Sequence, residues 1–213
     1  MQSAVLWRYG HYKTILYFSP YLSPQVSLQT RILTPENPMS IPFCDLKTPW
    51  FRLIGEHLET DRGDILDYWR VERSDSVIIL PLYRETWLLP PAIHRPGAGV
   101  ATWDFPGGRA LADRSLVDSA LAILERELQI PPDRVQDCRP LNTEGWWVNS
   151  SFSNQRLYGF VAEIDENTEL NPAAIGAMYA IRDSQMLLEK FTCLQCRSLL
   201  QQWMIGKLRI ENL

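Results

Sequence analysis

Between Trp103 and Ile130 the chain sets a pair of glycines a short way ahead of a helical pattern that carries Asp118, Glu125 and Glu127. Trp103-Asp-Phe-Pro-Gly-Gly is followed by a short polar link. An amphipathic run then places Arg126 and Glu127 side by side. A glycine turn aimed at the flank of a helix is a frequent location for phosphate chemistry, because backbone without a Cβ can approach a ligand closely. The element that must hold these groups is marked at both ends. Ser115 with Asp118 three residues on resembles a capping box, with Asp in place of the usual Glu or Gln, and Pro131 and Pro132 stop the helix. Val117, Leu121, Leu124 and Leu128 recur at i, i+4, i+7 and i+11, which predicts one stripe packed on a core. Ala120, Ile123 and Glu127 form a second stripe.

The glycine turn and the helix at fixed distance from it resemble the Nudix hydrolases, in particular their ADP-ribose pyrophosphatase branch. The signature of that family is G-x5-E-x7-R-E-U-x-E-E-x-G-U, with U aliphatic. Laid on without gaps, Gly108 takes the glycine, Leu124 and Ile130 the aliphatic places, and Glu127 the last glutamate. The other positions depart from it. Arg114 stands for the first glutamate, Ala122 and Ile123 for R-E, Arg126 for the other E-E glutamate and Gln129 for the second glycine. A register slipped by four residues would instead set Asp118, Arg126, Glu127 and Leu128 onto E-x7-R-E-U, at the cost of putting Pro131 inside the helix. The ungapped register keeps the Ser115 cap and the helix end in step.

The resemblance implies carboxylates at i, i+3 and i+4 of the helix, neighbours on one face, holding Mg2+ or Mn2+ against a diphosphate. Here that face reads Ile123, Arg126, Glu127, so the box is degenerate. The resemblance leaves Glu127 as catalytic residue and, with the Gly107 carbonyl, as metal ligand. Arg126 and Gly108 are placed on the substrate. His94-Arg-Pro-Gly sits where the family has a substrate-side arginine loop, which puts Arg95 on a phosphate through bidentate guanidinium contacts. Trp69 falls where the family presents a ring for adenine stacking. Ser150-Ser-Phe-Ser-Asn-Gln155 looks like a family loop that ends in an acid. Gln155 replaces that acid with a neutral amide, a poor ligand for Mg2+ and no general base.

The remaining chain sets bounds on the reading. With 213 residues, 46% hydrophobic and 22% charged, it can bury one sizeable core, and a formal charge of −4 argues against a nucleic-acid binder. Cys44, Cys138, Cys193 and Cys196 are scattered and read as reduced cytoplasmic thiols. The lone C-x-x-C of Cys193 and Cys196 lacks the second ligand pair a zinc site would want, and His11, His57 and His94 do not supply it. Apolar runs near the start are too short and interrupted for a membrane span or a signal peptide. Residues 1–42 are expected to be an N-terminal extension, disordered or mis-started, with Met39 as the true start.

Strand signals begin at Trp50. Phe51-Arg-Leu-Ile alternates, Asp61-Arg-Gly-Asp64 turns, and Ile65 to Val71 runs extended. Val77 to Leu82 reads as a buried central strand, Arg84-Glu-Thr as a turn and Trp87-Leu-Leu as its return. After the helix, Asp133-Arg-Val begins a link, and Glu144 to Val148 and Leu157 to Ala162 read as two strands. Glu163 and the cluster from Asp165 to Glu169 are the carboxylates left to replace the missing ones. Gly176 to Arg182 reads as a short helix, and Asp183 to Ile205 as one amphipathic helix covering the sheet.

The fold class expected is α/β: a Nudix α/β/α sandwich, with a mixed sheet between the two helices, over residues 76–213. An N-terminal antiparallel β subdomain occupies residues 43–75. The resemblance implies a nucleoside diphosphate derivative as ligand, a homodimer, and no nucleic-acid or membrane partner. Two functions follow: a Nudix-type hydrolase with metal-dependent cleavage weakened or lost, or a non-catalytic nucleotide sensor or scaffold.

Overall fold

The computed structural model describes residues 4–9, 12–17, 40–60 and 62–211, with side chains over 42–60 and 62–207. The expectation that Met39 starts the chain falls outside the described residues. The chain divides into two compact units, Met1–Glu72 and Arg73–Leu213.

In the first unit, β1 (Ala4–Tyr9) and β2 (Tyr12–Tyr17) pair as an antiparallel hairpin. Further on, β3 (Ser40–Lys47), β4 (Arg52–Glu59) and β5 (Ile65–Glu72) form a three-stranded antiparallel sheet in chain order. The turn between β4 and β5 is made by Gly63 at φ +80°, the left-handed region that costs glycine nothing. Two arginines lace the three strands together. Arg52 on β4 grips Asp45 on β3 with Nε and Nη2, both at 2.7 Å, and reaches Glu72 on β5 at 3.2 Å. Arg70 donates to Glu56 at 2.7 Å and Glu72 at 2.6 Å. Trp69 meets Phe43 edge-on at 5.2 Å across Gly55, where an added Cβ would lie 2.7 Å from the Phe43 ring.

The second unit is a mixed seven-stranded sheet with helices on both faces, as the α/β/α reading expects. Its spine is β6 (Ser76–Tyr83), whose alternation splits the core in two. Val77 and Ile79 face one helix layer; Ile78 and Leu80 face the other. The pair Arg84 and Glu85, at φ 46° and 56°, turns the chain into β7 (Thr86–Leu89). Left-handed backbone at both central residues is the hairpin geometry that matches strand twist. An exposed hairpin, β8 (Ile93–Arg95) with β9 (Val100–Thr102), precedes β10 (Gly107–Arg109).

The first helix, α1 (Leu116–Leu128), begins at Ser115, whose Oγ accepts the Asp118 amide at 3.0 Å and donates to the Asp118 carboxylate at 2.7 Å. A 3-10 turn at Pro132–Arg134 leads to β11 (Val135–Pro140), which the sequence reading had as part of a link. A two-residue strand, β12 (Trp146–Trp147), and the long β13 (Arg156–Ile164) follow. Across the sheet the order is β11, β13, β6, β7, with β14 (Ala177–Ala180) at the far edge. β13 runs parallel to β6 and takes one of its edges. The opposite edge is shared, by β10 at Ser76–Ile78 and by β7 at Leu82–Tyr83.

Three helical expectations are corrected. The buried stripe of α1 is Ala120, Ile123, Leu124 and Leu128, while Val117 is exposed. The helix is rolled toward its second stripe because Ile123 seats over Gly108, where a Cβ would fall 3.1 Å from the Ile123 Cδ1. Ala177–Ala180 is a strand on the β7 edge, not a helix. Gly176 lets it in, since a Cβ there would lie 2.4 Å from the Pro91 backbone. The terminal helix is two helices, α2 (Ser184–Lys190) and α3 (Leu194–Glu211). Apolar spacing runs through the break, so periodicity does not reveal it. Arg197 stabilises it by donating from Nη1 to the Leu188 and Phe191 carbonyls at 2.7 and 3.1 Å. α3 then packs on β13 at Gly159, where a Cβ would sit 2.1 Å from the Leu199 side chain.

Candidate functional site

The glycine turn and α1 come together at β10. Gly108 pairs with Val77 of β6, and an added Cβ there would meet the Arg126 Nη2 at 3.1 Å. Glu127 accepts the Gly107 amide on Oε2 at 3.2 Å. Arg126 places a single nitrogen, Nη2, 3.0 Å from the Gly107 carbonyl and 2.6 Å from Glu127 Oε1. The two oxygens nominated as metal ligands therefore converge, and a guanidinium nitrogen is bonded to both. The Arg126 side chain is 58% exposed and that of Glu127 24%.

The helix ends where the ungapped register expects it to. α1 stops at Leu128, and Gln129 holds φ 57° and ψ 34° while its amide bonds back to Glu125. The slipped register needs Ile130 and Pro131 inside the helix, and the helix does not extend that far. Gln129 occupies the place of the signature's second glycine and adopts the left-handed conformation that favours glycine. Its side chain accepts from Asn171 at 2.6 Å.

A divalent cation does not fit this donor set well. Mg2+ asks for near-octahedral oxygen coordination, from carboxylates and waters. Among the described residues, Glu127 belongs to no group of three or more Asp, Glu, His or Cys ligand atoms close enough to share an ion. Arg126 adds a positive charge where an ion would need a negative one. Two of the candidate replacement carboxylates are engaged elsewhere. Glu163 pairs with Arg139 at 2.6 Å, and Asp165 accepts both the amide and the side chain of Asn167. These bonds, the amide of Asn167 first, hold the Asp165 carboxyl below its ordinary value.

The other nominated residues are placed as follows. Arg95 is paired within the protein: Nε and Nη2 both reach Asp104 Oδ2, at 3.0 and 2.6 Å, and Thr102 donates to the same oxygen at 3.0 Å. Gln155 is buried, and its amide donates to the Ser74 carbonyl at 3.1 Å and Ser76 Oγ at 2.8 Å, clamping the start of β6. Trp69 stands on β5 in the first unit, 42% exposed.

The sequence reading missed one cluster. Asp104, Cys193 and Cys196 bring one carboxylate oxygen and two sulfurs within 4.8 Å of one another. The C-x-x-C was visible. Its carboxylate neighbour was not, because 89 or more positions separate Asp104 from the cysteines and nothing local announces the meeting.

No family model matches the chain, and no curated protein matches it in sequence. Its fold is matched among solved structures. A crystal structure of an ADP compounds hydrolase superposes with a TM-score of 0.62 at 17% identity, covering 79% of this chain and 96% of that one. The likeness at that identity is one of fold.

Proposed function

We propose that this chain is a Nudix-type protein that binds a nucleoside diphosphate derivative at the glycine turn, with metal-dependent hydrolysis weakened or lost. One observation carries the reading: Arg126 Nη2 bonds both Gly107 O and Glu127 Oε1, the oxygens a metal ion would need. The fold shared with an ADP compounds hydrolase supports a nucleotide ligand. In this reading the fixed guanidinium supplies the positive charge beside the diphosphate, and the outward part of Arg126 contacts phosphate oxygens. Arg95 contributes after release from Asp104. Loss of turnover with retained binding would make the protein a nucleotide sensor or scaffold. We assign it to the cytoplasm; among the described residues no helix is long and apolar enough to cross a membrane.

The test uses ADP-ribose as probe, with calorimetry in the absence of metal and AMP release in Mg2+ or Mn2+. Metal-independent binding, weakened about 10- to 100-fold in Arg126→Ala, supports the proposal, since a charged hydrogen bond contributes about 1.5–3 kcal/mol. Rapid metal-dependent AMP release abolished by Glu127→Gln refutes it. A homodimer built on the first unit is part of the same reading, supported by Phe43, Ile65, Leu66 and Trp69 exposed on its sheet. Light scattering that reports a monomer would remove that part alone.

A further inference from the structure

Cys193 stands immediately before α3, and its carbonyl accepts the Arg197 amide at 3.1 Å, the first bond of the helix. Its sulfur is therefore at a helix N-terminus, where the Gln195 and Cys196 amides point at it. Cys196, one turn on, is 1% exposed in the core between the sheet and α3. It accepts the Phe105 amide at 3.4 Å and has Asp104 Oδ1 4.0 Å away. The pair is thus asymmetric: a partly buried residue with its sulfur at a helix N-terminus, and a buried one in the core, with the Asp104 carboxylate within 4.8 Å of both sulfurs. Cys193 is only partly buried.

We propose that Cys193 and Cys196 form a redox-active dithiol that exchanges with low-molecular-weight disulfides. The Cys193 thiolate attacks one sulfur of a disulfide RSSR, forming a Cys193–SR mixed disulfide and releasing RS−. Cys196 then gives its proton to Asp104 or water and attacks the Cys193 sulfur. This forms the Cys193–Cys196 disulfide and releases the second RS−. Two electrons pass from the protein dithiol to RSSR, which leaves as two thiols. The direction of the acidities agrees with these roles. A hydrogen bond from Cys196, followed by the helix amides, lowers the Cys193 thiol to about 6, within the range of reactive cysteines. Cys196 is raised well above an ordinary thiol, first by donating to Cys193 and then by burial. Cys44 and Cys138 provide internal contrast, both raised by burial first and Cys138 to about 11.

The two steps place the oxidised pair against the segment leading into the glycine turn, because the Phe105 amide is bonded to Cys196 and lies two residues before Gly107. This dithiol chemistry uses the two cysteines and Asp104 and is independent of nucleotide binding.

The experiment uses the full chain, reduced and desalted, then exposed to glutathione/glutathione disulfide mixtures, alkylated and mapped by mass spectrometry. The expected result is a Cys193–Cys196 bridge in the wild type. Cys196→Ser should instead trap one glutathione on Cys193, and Cys193→Ser should carry none on Cys196. Alkylation of Cys193 by iodoacetamide should rise with a midpoint near pH 6, with Cys138 unreacted there. Absence of the bridge in excess glutathione disulfide, or prior reaction of Cys44 or Cys138, overturns the proposal. So does zinc retained through purification that shields both thiols until a chelator removes it; the cluster would then be a metal site.

Discussion

If the Arg126 guanidinium excludes a metal ion from the glycine turn, replacing it by a carboxylate should admit one. Arg126→Glu removes the bonds to Gly107 O at 3.0 Å and Glu127 Oε1 at 2.6 Å. The ion pair is largely solvated, so its loss costs about 0.2–1 kcal/mol. The lost bond to the carbonyl adds about 0.5–1.5 kcal/mol. Two neighbouring carboxylates repel, by about 1 kcal/mol at 4 Å in water. The metal-free variant should therefore melt roughly 3–14 °C below wild type, at about 2–4 °C per kcal/mol for a chain of this size. Mn2+ at ten times its dissociation constant should return about 1.4 kcal/mol, or roughly 3–5 °C. Differential scanning fluorimetry over a Mn2+ series reads both effects, with Arg126→Glu/Glu127→Gln as the control that should lose the recovery. Wild type stabilised by Mn2+ as strongly as Arg126→Glu would show that the arginine blocks nothing. A variant that never responds to Mn2+ would show that the two oxygens do not make a site.

Gln129→Gly should stabilise the protein by up to about 1 kcal/mol, since a left-handed non-glycine residue costs about 1–2 kcal/mol and the Asn171 bond returns part of that; an unchanged or lower melting temperature contradicts this. Gly159→Ala should cost about 1–3 kcal/mol by overpacking, because its Cβ would fall 2.1 Å from Leu199 in the core, and denaturant unfolding measures it. Acid should loosen the β3–β4–β5 sheet. Arg52 bonding holds the Asp45 carboxyl below its ordinary value, and Arg70 bonding does the same for Glu72. With folded values depressed, this stabilisation is complete above the unfolded value of about 4 and is lost as pH falls through the folded ones. Arg52→Gln should flatten that acid dependence, as followed by hydrogen exchange at β4; an unaltered profile would exclude the arginine as its cause.

The elements most legible in the sequence were those whose signals are local. Ser115 with Asp118 marks a helix start by a hydrogen bond between neighbours, and the structure has that bond. The buried run from Val77 to Leu82 is the centre of the sheet because alternate residues must face two helix layers. Features decided by distant partners were misread. Val117 and Ile123 both fit an apolar stripe, and the choice between them is made by Gly108 on another strand. The division between α2 and α3 depends on Arg197 bonding carbonyls six and nine residues behind it, inside a spacing that remains helical.

The candidate site repeats this division at the level of chemistry. The carboxylates that the resemblance expects could be checked along the chain, because each expected place is a residue at a fixed offset. What stands between the glycine turn and Glu127 could not be read that way, since it depends on where one guanidinium goes. Arg126 could have turned to solvent and left Glu127 open. Instead it lies within hydrogen-bonding distance of both Glu127 and the Gly107 carbonyl, while Gln129 keeps a glycine's backbone conformation at the helix end. A fold held by burial and hydrogen bonding does not need those acids to form. Metal-dependent hydrolysis would need them, which is why binding beside the Arg126 guanidinium, and not turnover, is the function proposed for the turn.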